Sequence, residues 1–167
     1  MIIKHLPENV GFGPANNLGV LSSKADVVIL MSNDVVVQGD FVENLLAAVS
    51  VNEKTVCSPR IVDWPAGWNE FPPEPPIPYA EGWLLAMKRS TWGKIGGFDR
   101  RYAPCDYEDV DFSFTAVKKG FNLKQVNVPV QHIGAGTLGY TQERRTITDN
   151  HRRLFAEKWG LIWTPVK

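Results

Sequence analysis

The chain has 167 residues, 44% hydrophobic and 22% charged, with 18 Lys and Arg balanced by 18 Asp and Glu. That is the profile of one globular domain able to bury its own core, and it excludes a disordered, collagen-like or coiled-coil chain. Zero net charge gives no general attraction to nucleic acid or anionic lipid, and the longest apolar run, Val27 to Met31, is far too short to span a bilayer.

Ile2 to Lys4 reads as a strand end. Residues 9–14, Asn-Val-Gly-Phe-Gly-Pro, read as a turn leading into a helix over 14–23, with Pro14 in the first turn, where a missing N–H is not needed. Asp26 to Met31 is β-branched and apolar on both faces, the pattern of a buried strand in a parallel sheet, and Ser32-Asn33-Asp34 breaks it. Asp40 caps a helix over 41–49, and Thr55 to Val62 reads as the next strand. Six prolines in 63–78 predict a loop there, because neither helix nor ladder tolerates so many missing donors. Glu81 to Met87 reads as extended, and Ser90 opens a short helix that ends at Gly96-Gly97. A helix over 108–119 is stopped by Gly120, and a strand over 121–128 is halted by Pro129. A glycine-rich loop over 132–140 leads to a basic helix and tail over 141–167. Alternating strands and helices predict a single α/β domain over 1–167 with a mostly parallel sheet flanked by helices.

Charge is unevenly spread: residues 1–117 carry −6 and residues 118–167 carry +6. The acidic part can hold a cation and the basic part can meet phosphate; equally, the two can attract each other within one fold. The two cysteines, Cys57 and Cys105, form neither a disulfide scaffold nor a metal motif, and Met1 to His5 has no signal-peptide pattern. A cytoplasmic compartment is therefore the expectation.

Three places carry candidate chemistry. Asp34 ends a buried strand, where open α/β sheets bind ligands, and a hard oxygen ligand there suits Mg²⁺ or Mn²⁺ on a diphosphate; Asn-Asp is also ordinary turn chemistry. Asp106, Glu108, Asp109 and Asp111 put four carboxylates within six residues at a helix start. The helix dipole favours one or two of them, but four like charges repel unless a cation or a proton is shared. Asp109 is placed to face a cleft while Val110, Phe114 and Val117 pack inward, and a base among carboxylates is what deprotonating a hydroxyl requires. His132 ends a strand before the glycine loop and can complete a metal shell or serve as a structural group.

Taken in order, these segments resemble a family 2-type glycosyltransferase with the GT-A fold. Asn9, Gly11, Ala15, Asn17 and Gly19 match the family's N-x-G-x-x-x-A-x-N-x-G segment. Ser32-Asn33-Asp34 stands where the family has a D-x-D-type motif, with Ser32 in place of the first acid. Gly82 to Arg89 followed by Gly96-Gly97-Phe98-Asp99 is similar to the acceptor-side segment. Glu108-Asp109-Val110-Asp111 matches E-D-x-D, and His132-x-Gly134 matches the late histidine. The resemblance covers residues 6–140.

It implies a nucleotide-diphosphate sugar as donor, a hydroxyl acceptor, and Mn²⁺ or Mg²⁺ held by Asp34 and His132. It implies Asp109 as base, with Glu108 and Asp111 beside it, in a single inverting displacement. Asn9, Gly11, Asn17, Asn33, Arg144 and Arg145 would bind the nucleotide sugar, and Gly82 and Trp83 the acceptor. Arg152 and Trp68 are further candidates, with a solvated helix face the simpler reading of Arg152. Against the family pattern this chain starts after the first strands of the nucleotide-binding half, so the fold expected is a truncated GT-A-like sheet. The Val27–Met31 strand then keeps an open edge, a pairing template that a second copy of the chain, another polypeptide or a rearranged segment of this chain would cover. The rival readings are a non-catalytic or incomplete sugar-binding relative, and a nucleotidyltransferase, which lacks its glycine-rich basic loop here. Nucleic-acid binding has only the basic tail in its favour.

Overall fold

The structure, a computed structural model, describes residues 3–64, 77–134, 139 and 141–161. After helix α1 (Phe12–Ser22), strand β1 (Val27–Met31) is followed by the short β2 (Val35–Val37), helix α2 (Val42–Val51), β3 (Thr55–Ser58) and β4 (Ile61–Trp64). Then come β5 (Ile77–Ala80), β6 (Leu84–Lys88), α3 (Arg89–Ile95), a 3₁₀ turn (Arg100–Tyr102), α4 (Glu108–Lys118), β7 (Asn122–Gln125), β8 (Val130–His132) and α5 (Gln142–Trp159).

The central sheet has the order β1-β6-β3-β7, and two ribbons, β2-β8 and β4-β5, flank it. The α/β class is as expected, but the sheet is mixed rather than mostly parallel. β3 and β7 are parallel, whereas β6 runs antiparallel to both β1 and β3. β1 lies at the edge, paired with β6 on one side and with no described strand on the other.

β6 shows why this segment is a central strand. Leu84 and Ala86 pack with Leu45, Ala48 and Val49 of α2, while Leu85 and Met87 pack with Val20 of α1, Trp92 and Ile95 of α3, and Phe112 and Ala116 of α4. Alternate side chains thus enter two apolar layers, and all four are fully buried. A third cluster joins Trp64 and Ile77 of the β4-β5 ribbon to Tyr107, Val110 and Phe114 and to Phe155 of α5.

Several boundaries differ from expectation for local reasons. The strand expected over 55–62 breaks at Pro59, where Ser58 Oγ accepts from the Arg60 N–H (3.2 Å) and donates to the Arg60 carbonyl (3.0 Å). Asp63, Trp64, Ile77 and Pro78, expected in the proline-rich loop, belong to β4 and β5, with Asp63 opposite Pro78 in an edge ribbon that spares the missing donor. The rest of that loop, with Trp68, lies outside the described residues. Ile3 and Lys4 form no strand. Val117 is exposed rather than packed inward, so of the three residues expected on the inner face of α4 only Val110 and Phe114 are buried.

Candidate active site

Four elements end at one rim. The antiparallel register sets Met31 opposite Leu84, and the Ser32 N–H donates to the Trp83 carbonyl (2.8 Å), so the loop after β1 lies against the segment before β6. The β2-β8 ribbon then sets Val35 opposite His132, and the Ile133 N–H donates to the Asp34 carbonyl (3.0 Å). The start of α4 closes the arrangement, its Asp109 Oδ2 accepting from the Gly82 N–H (2.9 Å). Between them opens a cleft of about 1120 Å³. Asp34, Glu108, Asp109 and His132, separated by up to 98 positions in the chain, all line it.

Asp34 Oδ1 and His132 Nε2 stand 3.3 Å apart, and the imidazole stacks on Trp83 with ring centroids 4.9 Å apart and an interplanar angle of 12°. Trp83 is fixed in turn by its Nε1–H donating to Glu81 Oε2 (2.7 Å), and Glu81 pairs with Arg60 at 3.3 Å. Trp83 therefore lines the cleft with one face already taken by His132. Among the described residues no cluster of three His, Cys, Asp or Glu side chains could hold a metal ion. Asp34 and His132 are two donors, one oxygen and one nitrogen.

The four clustered carboxylates meet four different environments. Asp106 accepts from Arg144 through both oxygens (2.7 and 3.0 Å) and from Thr148 Oγ1 (2.6 Å). Burial pushes its carboxyl up, but these hydrogen bonds and the Arg144 charge outweigh it, and the net shift is downward. Asp111 does not face the cleft. It is 2% exposed and accepts from Lys158 Nζ (2.8 Å) and Trp159 Nε1 (2.9 Å), so the expected catalytic place for it is corrected to an anchor between α4 and α5. Glu108 is 7% exposed, and burial, followed by the Asp109 charge, raises its carboxyl well above the ordinary range. Asp109 is raised to about 6 by burial, against the lowering effect of N–H donors from Gly82 and Val110. Gly82 has to be a glycine: a Cβ there would lie 2.9 Å from Asp109 Cβ.

The loop that carries these acids is strained. Asp106 and Tyr107 have φ of 72° and 76°, left-handed values that cost about 1–2 kcal/mol each for residues with a Cβ. Helix α5 holds them. Besides Arg144 and Thr148, His151 Nδ1 lies 2.9 Å from the Cys105 carbonyl and 3.0 Å from the Asp106 carbonyl, so Nδ1 carries the proton. Arg152 Nε donates to the Tyr107 hydroxyl (3.1 Å). Arg152 is 6% exposed, which overturns the solvated-face reading, and it does not line the cleft.

Of the remaining expected residues, Asn9, Gly11, Asn33, Gly82, Arg144 and Arg145 line the cleft. Gly11, at φ 87°, sits where a Cβ would lie 2.8 Å from the Pro104 backbone. Arg144 reaches the cleft already paired with Asp106; Arg145 is exposed beside it. Asn17 does not line the cleft. Its amide exchanges two hydrogen bonds with the Phe98 backbone (2.8 and 2.9 Å), which ties α1 to the Gly96-Gly97 turn, so its expected nucleotide contact is corrected to a structural one. Sequence reasoning missed Arg60, Tyr79 and Glu81, which line the cleft from the β4-β5 side and which no local motif marks.

The chain matches no curated protein. It is similar to a solved structure of GalNAc-T7 with UDP, GalNAc and Mn²⁺, at 16% identity and a TM-score of 0.64, over 93% of this chain and 39% of that one. The shared GT-A fold agrees with the mixed sheet and its helices, and this chain spans less than half the length of that relative. No described helix is long and apolar enough to cross a membrane. The family model for glycosyl transferase family 2 matches residues 1–114, the span that holds Asp34, Glu108 and Asp109, and the chain belongs to that family.

Proposed function

We propose that this domain transfers a sugar from a nucleotide-diphosphate sugar to an acceptor hydroxyl by a single inverting displacement, with Asp109 as base and a divalent cation on the diphosphate. The observation that carries this reading is the meeting of Asp34, His132, Glu108 and Asp109 in one cleft. GalNAc-T7 with UDP and Mn²⁺, a fold relative, agrees with a uridine nucleotide and a manganese ion.

The donor set fits such a cation. The carboxylate oxygen suits Mn²⁺ or Mg²⁺ and the imidazole nitrogen favours Mn²⁺ of the two, and their 3.3 Å separation is near the edge of an octahedral shell, about 3 Å for ligand distances near 2.1 Å. Asp34 and His132 would hold the ion, and diphosphate oxygens and water would complete its shell. The ion would supply charge neutralisation for the leaving diphosphate. Asp109, held by two backbone N–H groups, would take the acceptor's proton. Arg145 is placed to meet phosphate as a fork of donors. Asn9, Gly11 and Asn33 would contact the nucleotide sugar, and Gly82 and Trp83 the acceptor. Titration of the wild-type protein with UDP and with nucleotide sugars, with and without Mn²⁺, tests the reading. Metal-dependent binding followed by release of the nucleotide supports it, and a flat response in every combination refutes it.

A second reading, an incomplete relative that needs a partner, is favoured by one observation: among the described residues β1 has a strand on one side only. A homodimer or another polypeptide pairing with that edge would remove an exposed template. Light scattering coupled to gel filtration decides whether two copies do so. A monomer that turns over nucleotide sugar would remove this alternative.

A further inference from the structure

The mechanism above gives Glu108 no task, yet its environment is specific. Its Oε2 is buried and has no hydrogen-bond partner among the described residues, although the residue lines the cleft. A buried carboxyl oxygen left unmatched costs about 1–3 kcal/mol, more if charged, so a native fold keeps one only where a ligand satisfies it or a proton neutralises it. Both conditions fit here. Glu108, one residue before the base and about 100° round the helix from it, has different neighbours. A Cβ built on Gly13, in the first turn of α1, would stand 3.7 Å from Glu108 Cβ, whereas one built on Gly82 would stand 2.9 Å from Asp109 Cβ. Asp109 therefore looks toward the Gly82-Trp83 side, and Glu108 toward the Asn9-Gly11 side, where the nucleotide sugar is expected.

We propose that the Glu108 side chain is a neutral hydrogen-bond donor to a hydroxyl of the sugar being transferred, and so helps to select that sugar. The inference rests on the nucleotide-sugar reading. The groups that face Glu108 support a bound proton: Asp109 on its own helix and Asp106 before it are anionic neighbours, the Cys105 thiol adds none, and the cation of Arg144 on α5 is already engaged by Asp106. Burial and the Asp109 charge act in the same direction and outweigh the opposing pull of the Glu108 backbone N–H and the Arg144 charge. A carboxylic acid both donates and accepts, so it can recognise one hydroxyl in one orientation, and it leaves Asp109 as the only anion of the pair free to act as a base.

Two measurements test this. Carbon NMR of the Glu108 carboxyl in the unliganded protein is expected to show the protonated form at neutral pH; a resonance that titrates in the ordinary carboxylate range would overturn the proposal whatever the ligand. Calorimetry with Mn²⁺ then compares UDP with a panel of UDP-sugars for wild type, Glu108→Gln and Glu108→Ala. Gln keeps a neutral donor, so the affinity gained from the sugar is expected to survive within about three-fold, while Ala loses about ten-fold and UDP itself binds unchanged. Loss of the sugar increment in Glu108→Gln equal to that in Glu108→Ala would overturn the proposal, because it would show that a carboxylate is needed. Failure of wild type to bind UDP and all UDP-sugars would overturn the nucleotide-sugar reading, and the ligand half of this proposal with it, whatever the NMR result.

Discussion

Asp109→Asn is expected to abolish turnover and, at the same pH, to stabilise the fold. Both effects follow from one environment. Asp109 is raised from 3.8 to about 6, chiefly by burial. A carboxyl whose folded value lies above its unfolded value binds protons more tightly when folded. Its ionised form therefore penalises the fold above pH 6, and the penalty disappears as pH falls below about 4. At 1.36 kcal/mol per unit, two units give up to about 3 kcal/mol at pH 7.5. Asn escapes that penalty, but its single carbonyl oxygen can accept from only one of the Gly82 and Val110 N–H groups, a loss of about 1 kcal/mol at either pH. The net gain is about 2 kcal/mol at pH 7.5, and in a chain of this size about 2–4 °C accompanies each kcal/mol, so melting is expected to rise by roughly 4–8 °C at pH 7.5 and to lie slightly below wild type at pH 4. Turnover is expected to fall by about 10²–10⁴ with the loss of a general base, while metal-dependent UDP affinity stays within about two-fold. The wild-type kcat/KM should drop below pH 6 along one ionisation. Differential scanning fluorimetry at both pH values and a nucleotide-release assay check this. A mutant no more stable than wild type at pH 7.5, or one that still turns over, would refute the argument.

Asp34→Ala is expected to remove the Mn²⁺-dependent part of UDP affinity, about ten-fold or more by calorimetry, because one of two side-chain donors is lost. Asn17→Ala should lower stability by about 2–3 kcal/mol in urea melts, since it leaves both Phe98 backbone groups unmatched, with UDP affinity unchanged. Arg152→Met should cost about 1–3 kcal/mol and slow turnover through the loosened Tyr107 loop, whereas Arg153→Ala, one residue on and exposed, should stay within about 0.5 kcal/mol.

The residues of the cleft were legible where local grammar marks them. Asp34 follows a β-branched run, Asp109 sits in the first turn of a helix, and His132 ends a strand before glycines; each signal lies within a few residues. Partners far apart in the chain left no such mark. Nothing near Asp111 announces Lys158, 47 positions on, so the four acids read as one cluster when they are four separate environments. Strand direction was equally hidden. Leu84–Lys88 is apolar on both faces, which fits a central strand of either sense, and only its pairing with β1 and β3 makes it antiparallel. The stripe on α5 was present but misread. Arg144, Thr148, His151, Arg152, Phe155 and Trp159 follow the 3.6-residue period along one face, yet the polar residues among them suggested solvent.

That stripe bears on how the site keeps its shape. Asp106 and Tyr107 adopt left-handed backbone that neither residue favours, and the turn between them aims Glu108 and Asp109 into the cleft. Such backbone persists only where its surroundings offset the strain. The offset comes from α5: two bonds from Arg144 and one from Thr148 to the Asp106 carboxylate, the His151 contacts to two carbonyls, and Arg152 on the Tyr107 hydroxyl. Charge-assisted bonds of this kind contribute about 1.5–3 kcal/mol each, enough together to exceed the strain. The family match ends at residue 114, before α5 begins, so the acids that define the family motif are held in place by a helix outside it. In the proposed sugar transfer, α5 would then matter alongside Asp109, because it holds the turn that presents the base. Weakening Arg144, Thr148 or His151 would release the turn and blunt the proposed catalysis while leaving Asp34 and His132, which the β2-β8 ribbon positions, able to meet a metal.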